Sequence, residues 1–166
     1  MVAAGVPRGQ RLLGLPAETW GAIAAIALYA VTLGFGFVFD DRSLVGPEGP
    51  IALGNGTLPY RPLRYASYLF DDWLGGGGPW AYHAGNFFLH AVVAALTVHV
   101  ARRLGAAEGA AALAGVSMAV HPLGVEAAAY VAGRRDLLAT AAGLVAIVSW
   151  LSARGRTVVA VACVLL

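Results

Sequence analysis

Three groups of polar residues stand out in an otherwise apolar chain. The first is Asp40-Asp41, which directly follows an uncharged apolar run. A carboxylate at such a boundary can take a proton from an acceptor hydroxyl or hold a metal ion. The plainer reading is that two acids end a transmembrane helix in water. The second group is His83, Asn86 and His90, whose steps of three and four put them on one helical face. Polar groups at membrane depth are costly and usually face a bundle interior or a cavity. Plain hydrogen bonding between helices explains them equally well. His99, near the far end of the same run, reads as a snorkelling side chain. The third group runs from His121-Pro122 through Gly124 and Glu126 to Tyr130 and Gly133-Arg134-Arg135-Asp136. Pro122 should break a helix there, and Glu126, Tyr130 and Arg134 then follow in steps of four, on one face of a short helix. A local Glu–Arg pair in a polar connection is the plain account. Arginine, however, is the residue that holds a phosphate bidentately. A lipid-phosphate head group at the membrane surface is the matching ligand.

The elements that must position these groups are transmembrane. Of the 166 residues, 59% are hydrophobic and 12% charged, against about 25% charged in a typical soluble domain. A water-facing surface would be hard to build from that composition. The net charge of +2 gives no footprint for nucleic acid, and the single cysteine, Cys163, cannot form an intrachain disulfide. A helix needs about 20 apolar residues to cross the hydrocarbon core. Residues 20–39, 80–101, 109–125 and 137–153 supply four runs of about that length, and a fifth starts at 157 and is still apolar at 166. The expected fold is an all-α, multi-pass transmembrane bundle, with four full spans and a fifth that is cut short. Residues 1–19 form an N-terminal segment and 20–166 the membrane domain. The first run is too long for a secretory signal, and its end, Phe35 to Phe39, is a poor cleavage site, so it reads as an uncleaved anchor.

Orientation follows the arginines. With the N-terminus in the cytoplasm, Arg8, Arg11, Arg102, Arg103, Arg154 and Arg156 lie inside, and most acids lie outside. The 40–79 loop is then an outer loop. It holds the turn signals Gly46-Pro47 and Asn55-Gly56, and a short interfacial helix that starts at Arg61-Pro62-Leu63 and ends near Trp73. Its tyrosines, Phe70, Trp73 and Trp80 give it the aromatic content of a membrane interface.

In order, the chain shows Phe39-Asp40-Asp41, then Arg61-Pro62-Leu63, then His83-x-x-Asn86-x-x-x-His90. His121-Pro122-x-x-x-Glu126 and Gly133-Arg134-x-Asp136-Leu137-Leu138 close the series. This series resembles the start of the transmembrane O-mannosyltransferases that carry C-terminal tetratricopeptide repeats, and of their bacterial relatives, in the GT-C class of glycosyltransferases. The resemblance covers about residues 37–150. The family usually shows His or a similar polar residue where Gly124 stands here. What the resemblance implies is transfer of a sugar, mannose or similar, from a polyprenyl-phosphate donor to a hydroxyl on a protein or glycan acceptor at the outer face. Asp40 or Asp41 would be the catalytic carboxylate. Arg134, helped by Arg135 and His121, would hold the departing phosphate, and Glu126 would orient Arg134. His83, Asn86, His90 and Arg61 would form a supporting polar face. No cofactor is indicated, although the carboxylates are compatible with a divalent metal. The setting implied is a bacterial inner membrane, with membrane lipid and the sugar donor as partners. A transporter or flippase fragment, and a noncatalytic membrane subunit, are the competing readings. The first would need polar residues near mid-membrane and broken helices in paired halves.

Overall fold

The computed structural model describes residues 14–46 and 62–151. Arg61, Cys163, the arginines of both termini and the fifth apolar run lie outside the described residues. Among the described residues every regular element is helical. In chain order these are α1 (Ala17–Tyr29), α2 (Asp40–Leu44), α3 (Pro62–Gly75), α4 (Pro79–Arg103), α5 (Glu108–Val120), α6 (Gly124–Ala129) and α7 (Arg134–Trp150). Short 3-10 turns follow α1 at Ala30–Gly34 and α6 at Val131–Gly133.

The centre is a three-helix contact of α1, α4 and α5, built on small side chains. Ala17, Gly21, Ala25 and Tyr29 recur in steps of four along α1 and are all buried. Ala111, Gly115 and Ala119 do the same on α5, and Ala91, Ala94 and Val98 answer them from α4. In lipid there is little hydrophobic drive between helices, so close backbone approach and dispersion must hold them. The approach here is close: a Cβ on Gly21 would lie 2.9 Å from the carbonyl carbon of Gly115. At one end of the bundle, Arg102 pairs with Glu18 of α1 and, at 2.9 Å, with Glu108 of α5, clasping all three helices.

Two helical stretches, Ala17–Gly34 and Pro79–Arg103, are long and apolar enough to cross a membrane, and the chain is a membrane protein. The expected four full spans are not what the described residues show. α5 has 13 residues, or about 20 Å of rise, and α7 has 17, or about 26 Å, against a core of about 30 Å. The expected third span stops at Val120 because Pro122 disfavours helix at the residue before it, and His121 takes an extended ψ of 131°. The first span also ends earlier than its apolar run. Thr32 Oγ1 donates to the Tyr29 carbonyl at 2.7 Å, the helix tightens to 3-10, and the chain turns extended at Phe35.

At the end of the bundle away from Arg102, α2, α3, α6 and the second 3-10 turn gather around the start of α4. Proline opens α3, as the sequence predicts, and α4 as well. α3 is two-faced. Tyr68 and Asp71 are buried, while Leu69, Phe70, Leu74 and Trp73, which is 78% exposed, face outward.

Candidate functional site

Arg134 opens α7 and turns inward, to 1% exposure. A buried guanidinium is tolerated only when its donors are met, and these are. Nε donates to Asn86 Oδ1 at 2.7 Å, Nη2 to the Tyr82 carbonyl at 2.7 Å, and Nη1 to Ser67 Oγ at 3.2 Å. Asp71 forms an ion pair with Nη1. The Tyr68 ring lies beneath, its centroid 4.6 Å from the guanidinium carbon. One side chain thus joins α3, α4 and α7. Burial pushes the Asp71 carboxyl up, and the adjoining guanidinium pulls it back. Burial pushes the Tyr68 hydroxyl up to about 12, so it stays protonated and donates to the Val131 carbonyl at 2.9 Å.

Gly85 lies against this ion pair. A Cβ there would sit 2.6 Å from Arg134 Nη2 and 2.7 Å from Asp71 Oδ2. Gly85→Ala is expected to spread the pair and lower stability by about 1–3 kcal/mol. Thermal unfolding in detergent checks it, and an unchanged midpoint would mean that α3 yields without cost.

The two adjacent acids part company. Asp41 is fully buried. Its Oδ1 accepts the Ala132 N–H at 2.9 Å and its Oδ2 the Val38 N–H at 3.3 Å. Burial pushes its carboxyl up, and those N–H groups oppose the shift. Asp41 therefore ties the segment after α1 to the turn before α7. Asp40 is exposed, and its backbone N–H donates to Tyr130 Oη at 3.2 Å. Between them and the first span, Phe39 holds φ at 44°, a conformation costing on the order of 1–3 kcal/mol outside glycine. Asp40 lines a pocket of about 260 Å³ with Arg64, Glu126, Tyr130, Arg135 and Asp136. The pocket thus sets three carboxylates and two guanidiniums around one opening.

The chain is 37% identical to protein O-mannosyl-transferase Tmtc2 of Drosophila melanogaster in an alignment of 147 positions that covers 76% of this chain and 16% of that protein. It is 32% identical to protein O-mannosyl-transferase Tmtc1 of the same organism in an alignment of 145 positions that covers 76% of this chain and 17% of the relative. It is 33% identical to human protein O-mannosyl-transferase TMTC2 in an alignment of 140 positions that covers 73% of this chain and 17% of the relative. The homologues of this chain are Tmtc protein O-mannosyltransferases. No family model matches it, and no solved structure gives a significant match. The family read from the motif order is the family found.

In this homologue of the Tmtc proteins the expected site residues divide. Asp40, Glu126 and Arg135 share the pocket, whereas Arg134 lies beneath it in the buried network. Glu126, Tyr130 and Arg134 do not run down one helical face: Tyr130 is extended (φ −92°, ψ 123°), so α6 ends and the chain restarts in a different direction. Glu126 therefore stays exposed at the pocket, and the partner of Arg134 is Asp71 rather than Glu126. His83, Asn86 and His90 are all buried on α4. Asn86 Nδ2 donates to the Tyr130 carbonyl at 2.7 Å, His83 stands edge-on to Phe35, and His90 Nε2 lies 3.0 Å from the Ala119 carbonyl. His121 is exposed and accepts the Leu123 N–H on Nδ1 at 3.2 Å. It lines a second chamber of about 410 Å³, which shares Glu126 and Asp136 with the first. No group of three or more His, Cys, Asp or Glu among the described residues is placed to hold a metal ion.

Asp71, Ser67, Tyr68 and Arg64 escaped the sequence reading. Their steps of three and four on a short helix were a legible polar stripe, hidden by the aromatic residues between them.

Proposed function

We propose that this chain is part of a membrane glycosyltransferase that moves mannose from a polyprenyl-phosphate donor to a protein hydroxyl at the outer face. The observation that carries the reading is the single pocket in which Asp40 stands with Arg64 and Arg135. Asp40 takes the proton from the acceptor hydroxyl as its oxygen attacks the anomeric carbon. The bond from that carbon to the phosphate oxygen breaks, and the phosphate leaves with the electron pair. Arg135 and Arg64 hold it. Arg134 acts by positioning: it fixes the start of α7, from which Arg135 and Asp136 project. The proposed orientation puts the N-terminus and the Arg102 clasp in the cytoplasm and the pocket outside. The names of the relatives supply mannose and protein. The chain spans only 16–17% of those proteins, so the activity belongs to a longer protein.

The test uses that full-length protein in nanodiscs with a polyprenyl-phosphate mannose. Arg135→Ala and Arg64→Ala should each weaken donor binding roughly tenfold or more, as loss of a hydrogen bond to a charged group does. Their double variant should also lose most of the salt dependence of binding. Donor binding that is unchanged in the double variant would refute the phosphate assignment.

A further inference from the structure

We propose that the outward face of α3 lies in membrane lipid, at the boundary of head groups and acyl chains, in the leaflet at the end of the bundle away from Arg102. This needs the membrane character of the chain and not the transferase reading. Every α3 residue that is exposed is apolar. The large ones are Leu63, Leu69, Phe70, Trp73 and Leu74, from 40% to 78% exposed. With 3.6 residues per turn, they and Ala66 fall within an arc of about 140°. The opposite arc carries polar groups turned to the protein. Asp71 and Ser67 meet Arg134, Asp72 Oδ1 accepts the Tyr82 hydroxyl at 3.0 Å, and Tyr68 donates to the Val131 carbonyl. An ordinary interfacial helix shows its polar face to water. α3 turns that face to Arg134 instead, and its apolar face away from the protein. Rolling the helix over would strand a buried guanidinium, so the apolar face is held outward.

Three surroundings can be weighed for this face. Water is a poor one, since large apolar side chains gathered in one patch are what soluble surfaces avoid. A protein partner makes about one hydrogen bond per 100–200 Å² of interface. The exposed arc offers a single side-chain group for that, the indole of Trp73. A lipid leaflet asks for neither charge nor hydrogen bonds, and its interface favours aromatic side chains. Phe70 and Trp73 stand together there, their ring centroids 5.9 Å apart. The face also leads into a helix that meets lipid. After Gly75 the chain turns through Gly76 (φ 57°) and Gly77 (φ 81°), a bend that glycine makes without strain. It then enters α4, which is long and apolar enough to cross a membrane and exposes Trp80 at 46% and Phe88 at 63%. α3 has 14 residues, or about 21 Å of rise, against a core of about 30 Å. It cannot cross, and a face immersed along its whole length lays it along the leaflet. Arg64 sits on the other arc and lines the pocket. The immersed helix holds it one helix diameter, about 10 Å, nearer the water, at the level of the head groups.

The experiment places nitroxide spin labels on the full-length protein in phosphatidylcholine nanodiscs, with its native cysteines, Cys163 among them, replaced by serine. Ala66→Cys, Phe70→Cys and Trp73→Cys carry the label on the apolar arc, and Asp136→Cys carries it at the exposed pocket. Power-saturation EPR compares relaxation by oxygen, which concentrates in lipid, with relaxation by a nickel chelate, which stays in water. The three α3 labels should be open to oxygen, and the chelate should reach them several-fold less than it reaches the Asp136 label. Chelate access at the α3 labels equal to that at Asp136 overturns the proposal, because the face is then in water. Low access of both reagents overturns it as well, because protein then covers the face. Ala66→Cys, the smallest change, decides the matter if the two aromatic variants fail to fold. No activity enters the measurement, so a failure here leaves the transferase reading untouched, and a failure of that reading leaves this result standing.

Discussion

Asp40→Asn in the full-length protein lowers sugar transfer by about 10²- to 10⁴-fold, the usual worth of a positioned general base, and leaves donor binding intact. The amide keeps the size and one acceptor oxygen of the carboxylate but cannot take the acceptor proton. Since Asp40 is exposed and hydrogen-bonds only through its backbone, the N–H donating to Tyr130 Oη and the carbonyl accepting from Ser43 Oγ, the exchange disturbs no packing. Asp41 behaves in the opposite way. Asp41→Ala strips the partly buried Ala132 and Val38 N–H groups of their acceptor, at about 1–3 kcal/mol in all, so it lowers the unfolding midpoint while the fraction that remains folded still transfers. Steady-state transfer and thermal unfolding, run on both variants, read the two effects separately. If Asp41→Ala kills transfer at unchanged stability and Asp40→Asn does not, the two roles are reversed.

Arg134→Ala is the second large effect, and it acts on folding. It leaves Asp71 buried without its partner and vacates the space over the Tyr68 ring. Breaking a buried ion pair from one side costs about 3–5 kcal/mol, and Asp71→Ala should cost a similar amount by stranding the guanidinium. Arg134→Lys does not rescue, because an ammonium cannot reach Asn86, Ser67, the Tyr82 carbonyl and Asp71 at once. The double variant Arg134→Met with Asp71→Leu should recover much of the loss, since neither member of the pair is then left buried and charged without its partner. Thermal unfolding in detergent provides the measurement. Single variants as stable as the wild type would mean that water reaches the pair and that the network does not hold α3 in place.

The sequence by itself determined the membrane character, the helical class and the family. Each is written in quantities that survive without coordinates: apolar run length, sparse charge, and a set of motifs in fixed order. It also determined that His83, Asn86 and His90 share a face, because a helix as regular as α4 turns spacing into direction. It named Asp40-Asp41 and the Arg134-Arg135 pair but could not assign tasks within either. Adjacent residues in an irregular stretch point in directions set by single backbone angles, here the positive φ of Phe39 and the extended break at Tyr130. The tertiary structure decided where each side chain goes. It buried Asp41 against backbone N–H groups and left Asp40 in the pocket. It drew Arg134 under α3 and left Arg135 outside. The partner that drew Arg134 inward, Asp71, lies 63 positions earlier on a separate helix. Local spacing carries no information on such a pairing: a buried guanidinium takes whichever carboxylate the fold brings within reach.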